Sequence, residues 1–309
     1  MKDLLSLYDV STEDMHQIID AAIDIKKNPE KYAAVLKDKT LLMLFEKPSL
    51  RTRVSFETGM TQLGGHAIFY DISTSPLGKG KETIEDTGKV LMRYVDIIMA
   101  RMNHFSDIKG LADSSEVPVI DALSELNHPC QILCDLQTIK EKKGELKGLT
   151  LAYFGDCENN VTYSLMHGCA HTGMNIKVCC PDDDEFKPRQ DIIDQANELA
   201  AKTGATVTVT HDVEEAAKGA DVVYTDSWMS YHIDPEKAEA RKQKLMPCQV
   251  NAKVMAMTNN AIFMNCLPAQ RDFEQSGEVL DGPQSIVFDQ AENRLHAQKA
   301  IMLKLLDKL

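Results

Sequence analysis

Ser49-Leu50-Arg51-Thr52-Arg53 sets two hydroxyls and two guanidiniums within five consecutive residues, directly after Phe45-Glu46-Lys47-Pro48. The apolar run Thr40–Phe45 before it reads as a strand, and the pattern after it reads as a helix. A helix start offers free backbone N–H groups and the positive end of the dipole, which suits a phosphate. Arginines add planar, bidentate donors to the same anion. The segment is not a P-loop, because no Gly-Lys-Ser/Thr and no glycine-rich cradle accompany it. A basic helix start capped by Ser49 is the plainer alternative, and these residues alone leave both readings open.

Further polar residues fall at the ends of apolar runs. Arg101 closes VDIIMA, and both Arg51 and Arg101 are expected to stand exposed in a cleft. His128 lies just outside a helix whose first turn holds Pro129, with Gln131 one turn in on the same side. Gly155-Asp156-Cys157-Glu158-Asn159-Asn160 separates a strand from a helix. Without a G-x-G-x-x-G it offers no dinucleotide site, and its asparagines could serve simply as caps. Asp226-Ser227-Trp228-Met229-Ser230-Tyr231 follows DVVYT and holds the single tryptophan. Asn265-Cys266-Leu267-Pro268 follows another apolar run. A cysteine in such a place is ordinarily inert, and no base stands beside Cys266 to make it a covalent nucleophile.

These residues need elements to hold them. Strands are expected at 40–45, 67–72, 96–100, 149–154, 176–180, 206–210, 222–225 and 262–265. An amphipathic helix opens the chain behind Ser11 and Thr12, with Met15, Ile18, Ile19, Ala22 and Ile23 on one stripe. Helices at 51–63, 129–142, 159–172 and 189–203 run into glycine, and a last one spans 291–306. Alternating strands and helices imply an α/β fold with parallel sheets covered on both faces, and binding loops at the carboxyl ends of strands. The charged, glycine-containing stretch 140–148 suggests a domain boundary, giving domains 1–143 and 144–289.

At 309 residues the chain is long enough for two cores. A net charge of −13 argues against nucleic acid or an anionic membrane as partner. It also means that an anionic substrate needs locally concentrated arginines. The N-terminus, MKDLLSLYDVSTEDM, carries acid where a signal peptide needs an apolar core, and no apolar run approaches the roughly 18 residues of a membrane span. A cytoplasmic protein is expected. Eight scattered cysteines without a C-x-x-C pair read as reduced, buried small hydrophobes rather than as disulfides or a zinc site.

Taken together, Ser-x-Arg-Thr-Arg, Arg101, His-Pro-x-Gln, Gly-Asp-x-x-Asn-Asn, Asp-x-Trp-x-Ser, Cys-Leu-Pro and the late Arg294 resemble the motifs of the transcarbamylase family, in family order over essentially the whole chain. The resemblance implies two similar domains, with the C-terminal helix (about 290–309) returning to the first. It implies a carbamoyl-phosphate site of Ser49, Leu50, Arg51, Thr52, Arg101, His128, Gln131, Cys266, Leu267 and Arg294. Within it His128 would polarise the carbonyl, Gln131 would hold the carbamoyl amine, and Arg101 would touch both phosphate and carbonyl oxygen. It places the amino-acid end of L-ornithine on Asn159, Asn160, Asp226, Ser230 and Tyr231, with Cys266 near the attacking δ-amine. The implied reaction is carbamoyl transfer to that amine, giving L-citrulline in arginine metabolism, with no cofactor and no metal. A homotrimer, or a multiple of trimers, is implied, with Ser75–Glu82 reaching a neighbour's site. Tyr231-His232 and Asn265 stand where the family usually has Met-Gly and His. That departure leaves a different amine, such as putrescine, as the alternative; a non-catalytic carbamoyl-phosphate-binding protein is a more distant one.

Overall fold

The computed structural model describes residues 1–77, 79–229 and 233–309; Gly78, Ser230, Tyr231 and His232 lie outside the described residues. The chain forms two compact units, Met1–Thr138 with Glu292–Leu309, and Ile139–Ala291. The division falls inside the 129–143 helix. The charged 140–148 stretch therefore lies beyond it, because the buried face of that helix continues through Leu136 and Ile139.

The first unit runs α1 (Thr12–Lys27), α2 (Pro29–Tyr32), β1 (Thr40–Phe45), α3 (Leu50–Gln62), β2 (His66–Asp71), α4 (Ile84–Leu91), β3 (Ile97–Arg101), α5 (Phe105–Ser114), β4 (Val119–Leu123) and α6 (Pro129–Lys143). Ser11 caps α1, its side chain accepting from Asp14 N at 3.0 Å, and the buried stripe of α1 runs from Met15 to Ile25. The sheet is wholly parallel, in the order β2-β1-β3-β4. Its central strands β1 and β3 are apolar and buried nearly throughout, as strands covered on both faces must be. β2 lies at the edge and leaves Ile68 and Tyr70 exposed.

The second unit continues with β5 (Thr150–Phe154), α7 (Asn160–Thr172), β6 (Asn175–Cys179), α8 (Gln190–Thr203), β7 (Val207–Thr210), α9 (Val213–Ala217), β8 (Val222–Tyr224), α10 (Ala238–Leu245), α11 (Ala252–Ala256), β9 (Ile262–Met264) and α12 (Gly277–Leu280). Its parallel sheet has the order β7-β6-β5-β8-β9. Residues 161–172 of α7 are all buried, so this helix is core rather than cover. It ends where Gly173 takes φ +73° in the left-handed region.

The last helix, α13 (Val287–Leu305), crosses back at Glu292, and its later turns pack on first-unit helices. Lys304 pairs with Asp14 of α1 at 2.6 Å. Gly59 of α3 faces Leu295, Lys299 and Met302 of α13 at van der Waals distance. Each sheet thus has one point where the chain reverses its direction of strand addition: between β1 and β3, and between β5 and β8. In such sheets, ligands bind outside the carboxyl ends of the strands at that point.

Among the described residues no helix is long and apolar enough to cross a membrane.

Candidate active site

In the first unit, the β1 end delivers Ser49 as N-cap of α3, with an extended backbone. Ser49 Oγ accepts from Thr52 N at 3.3 Å and donates to Thr52 Oγ1 at 3.0 Å. Leu50 opens the helix with its side chain 74% exposed, so only its backbone could meet a bound anion. Arg51 is half-buried beside them. The second guanidinium of the motif is spent elsewhere: Arg53 donates to Glu57 at 2.9 Å and stacks 3.7 Å over the Phe69 ring.

Arg101 ends β3, the neighbouring central strand, in register with Phe45 and Leu123. It is only 5% exposed, against the expectation of an exposed arginine, because a residue at the end of a central strand is walled by both neighbours. Lys47, which sequence reasoning passed over, is close enough to feel it. Burial first, then the Arg101 charge, lowers the Lys47 ammonium from its ordinary value.

His128 is buried before Pro129, and its carbonyl accepts from Gln131 N at 3.1 Å. Burial, then the charges of Arg294 and Arg101, hold its imidazole well below the ordinary value, so it is neutral at pH 7. Arg294 of α13 donates to Gln131 Oε1 at 2.7 Å and to Thr52 Oγ1 at 3.3 Å. Gln131 Nε2 in turn donates to the buried Asp135 at 2.9 Å. A continuous chain therefore links Ser49, Thr52, Arg294, Gln131 and Asp135. Asp135 went unnoticed in the sequence, although its place one turn beyond Gln131 on α6 was a visible signal.

In the second unit, the β5 end passes into Gly155, whose φ of +126° and missing Cβ both matter: a Cβ would lie 2.7 Å from Trp228 Nε1. Asn159 caps α7. Its Oδ1 accepts from Thr162 N at 2.9 Å and its Nδ2 donates to Tyr153 Oη at 3.1 Å. Both ends of that side chain are thus engaged locally, whereas Asn160 is half-buried at the first helical position. Asp156 bonds the buried Arg241, which also donates to Glu185 at 2.9 Å and to the Trp228 carbonyl at 3.1 Å. Burial pushes the Asp156 carboxyl up to about 7 against the pull of Arg241.

At the β8 end, Asp226 is half-buried and accepts from Cys266 Sγ at 3.0 Å. Burial raises its carboxyl, while the Cys266 thiol and the Ser227 amide oppose the rise. Ser230 and Tyr231 lie outside the described residues. Leu267 takes φ +58°, and its N–H donates to the fully buried Asn265 Oδ1 at 2.8 Å. Asn265 Nδ2 donates to Gln275 at 3.2 Å, and Gln290 holds the Asn265 N–H at 3.0 Å. An asparagine in place of the family's usual histidine thus fixes the backbone beside Cys266.

Among the described residues two sets therefore stand out, each at the reversal point of its own sheet: a cationic set around a neutral imidazole, and an acidic set around a thiol.

Residues 2–141 match the aspartate/ornithine carbamoyltransferase carbamoyl-P binding domain, and residues 147–305 match the family's Asp/Orn binding domain. The chain is similar to an ornithine carbamoyltransferase of Cenarchaeum symbiosum, 48% identical over 98% of each chain, and to one of Mycolicibacterium smegmatis, 45% identical over 97% of each. Among solved structures it is similar to the ornithine carbamoyltransferase of Pyrococcus furiosus, with a TM-score of 0.94 and 43% identity over 100% of this chain and 98% of that one. With both domains matched and relatives 45–48% identical over nearly the whole chain, the chain belongs to the aspartate/ornithine carbamoyltransferase family.

Proposed function

We propose that this protein transfers the carbamoyl group of carbamoyl phosphate to the δ-amine of L-ornithine, releasing L-citrulline and phosphate. The observation that carries the reading is the pair of strand-end sites, cationic in one unit and acidic in the other, on a chain whose relatives are ornithine carbamoyltransferases.

Phosphate is already a good leaving group, so the chemistry needs positioning and charge stabilisation rather than a covalent intermediate. Ser49, Thr52 and the start of α3 seat the phosphate, with Arg51 and Arg101 as its cationic partners. Arg101 and the neutral His128 donate to the carbonyl oxygen as negative charge develops there. Gln131 Oε1 has a second lone pair beyond the one Arg294 uses, and that pair accepts from the carbamoyl amine. The Cys266 and Leu267 carbonyls accept from the same amine, held by Asn265 in the conformation described above.

The acceptor's α-ammonium goes to Asp226, and its amino-acid end to Asn160 and Ser230. Asn159, as the cap of α7, sets Asn160 in place, and Tyr231 is assigned to the same subsite on the family resemblance alone. An acidic acceptor would need a cation here. Among the described residues the arginine beside this loop, Arg241, is committed to Asp156, Glu185 and Trp228.

A homotrimer is part of the same proposal. Leu50 and Val54 on α3, and Ile68 and Tyr70 on the adjoining edge strand β2, are exposed apolar side chains that a second copy would cover. The loop around Lys79 and Lys81 is proposed to reach the neighbouring copy. Sedimentation of the purified protein at three times 34.5 kDa supports this, and a monomer contradicts it. The activity itself is tested by incubating the enzyme with carbamoyl phosphate and ornithine. Citrulline and phosphate should appear in equal amounts, and phosphate release without citrulline would refute the transfer.

A further inference from the structure

A second concave site lies in the first unit, between α1, the turn into α2, the end of α3 and the middle of α13. It is a cavity of about 540 Å³, and none of the residues assigned to catalysis lines it. Its wall holds an unusual group: Lys299, only 2% exposed, whose ammonium donates to the neutral side-chain oxygen of Gln62. No carboxylate is paired with it among the described residues, and burial alone lowers its affinity for the proton. A buried ammonium held by one amide is costly unless an anion joins it.

His296, one turn before Lys299 on α13, is 9% exposed, and its Nδ1 has no hydrogen-bond partner among the described residues. Its Nε2 lies 3.6 Å from Glu292. Burial first, then the charges of Lys299 and Lys26, disfavours its protonation. Lys26 is itself held by Asn293 at 2.8 Å and lies 3.7 Å from Glu292. The apolar part of the lining comes from Tyr32, Ala33 and Leu295, over the fully buried Ile25 and Leu63. The cavity's carboxylates sit differently from its buried cation: Glu30 is exposed, and the Glu292 side chain is 54% exposed.

We propose that this cavity is a second ligand site that takes a small monocarboxylate with an apolar body. The carboxylate pairs with the Lys299 ammonium, and the apolar body lies against Tyr32, Ala33 and Leu295. Glu30 and Glu292 at the rim repel a second negative charge, which disfavours phosphate and dicarboxylates. They tolerate an ammonium, so a simple carboxylic acid and an apolar amino acid share the required chemistry.

Calorimetric titration of the full chain with isovalerate, leucine and inorganic phosphate tests this. Saturable isovalerate binding is expected, weakened at least tenfold in Lys299→Met and in Gln62→Glu, unchanged in Asp226→Asn, and not displaced by phosphate. Gln62→Glu supplies an internal carboxylate to Lys299, so it should keep the fold and raise Tm while closing the site. It therefore decides the question even if Lys299→Met fails to fold. Leucine competing with isovalerate also supports the site, and the ratio of the two affinities separates an amino acid from a simple acid. Absence of saturable isovalerate binding, or equal binding by wild type and Gln62→Glu, overturns the proposal.

Discussion

Cys266 donates its thiol proton to Asp226 across 3.0 Å, joining the ends of the neighbouring strands β9 and β8. The bond orients the carboxylate, and on the proposed reading Cys266 is a positioning donor and not a nucleophile. Cys266→Ser keeps a donor of similar reach and should reduce turnover without abolishing it. Trapping a carbamoyl thioester in the wild type would show instead that the cysteine attacks the substrate.

Asp226 itself should decide acceptor affinity. A charge-assisted hydrogen bond to the α-ammonium is worth roughly 1.5–3 kcal/mol. Asp226→Asn should therefore lower kcat/KM for ornithine by about one to two decades, while carbamoyl phosphate affinity stays within about twofold, as no contact with it is lost. An equal loss for both substrates, measured by steady-state kinetics, would place Asp226 in a general structural role.

The cationic set predicts an unusual split between activity and stability. Arg101 lowers the proton affinity of both Lys47 and His128, and Arg294 acts on His128 in the same sense, so positive charge is concentrated here. Arg51→Ala and Arg101→Ala should each cost at least about 100-fold in kcat/KM, as a lost electrostatic donor does. The Arg101 variant should keep its Tm, because relieved repulsion offsets the lost packing. A fall in Tm of several degrees alongside a loss below tenfold would assign Arg101 to the fold instead.

His128 gives a pH signature. Its folded imidazole lies below its unfolded value near pH 6.5, so the stability it contributes is present above that value and is lost as pH falls through it. Wild type should lose up to about 1.4 kcal/mol per pH unit below pH 6.5 from this group, and His128→Gln should not. Denaturant titrations at pH 7.5 and 5.5, at fixed protein concentration, make the comparison. Indistinguishable losses would mean that His128 is not held neutral.

Asn265 predicts a backbone effect. Leu267 at φ +58° is a conformation costing on the order of 1–3 kcal/mol, held here by one buried amide. Asn265→Ala should destabilise the protein by a similar amount and raise KM for both substrates. An unchanged KM would separate the Leu267 conformation from binding.

Much of this organisation was legible in the residues. Strand ends fell within a residue or two, because central strands are apolar throughout and the helices stop at glycine or at charge. β4 escaped notice because Pro118 and Asp121 break up Val119–Leu123; in the fold Asp121 is fully buried and accepts from Ser124 Oγ at 2.7 Å. Residue types alone could not show which of two adjacent candidates is spent on structure. Arg53 went to Glu57 and Phe69, and Asn159 went to the α7 cap. Both outcomes depend on partners distant in sequence or on helix-end geometry. Lys47 was missed for the converse reason: it looks like an ordinary surface charge until burial and neighbours are known.

The central claim is that an acidic acceptor site chooses ornithine. Initial rates with carbamoyl phosphate and either ornithine, putrescine or aspartate, run in parallel between pH 7 and 9, test it most directly. Free δ-amine is scarce at neutral pH, since such amines titrate near roughly pH 10.4. The rate with ornithine should therefore rise with pH, and its kcat/KM should exceed that of putrescine strongly, with aspartate inert. A higher kcat/KM for putrescine, or turnover of aspartate, would contradict the account.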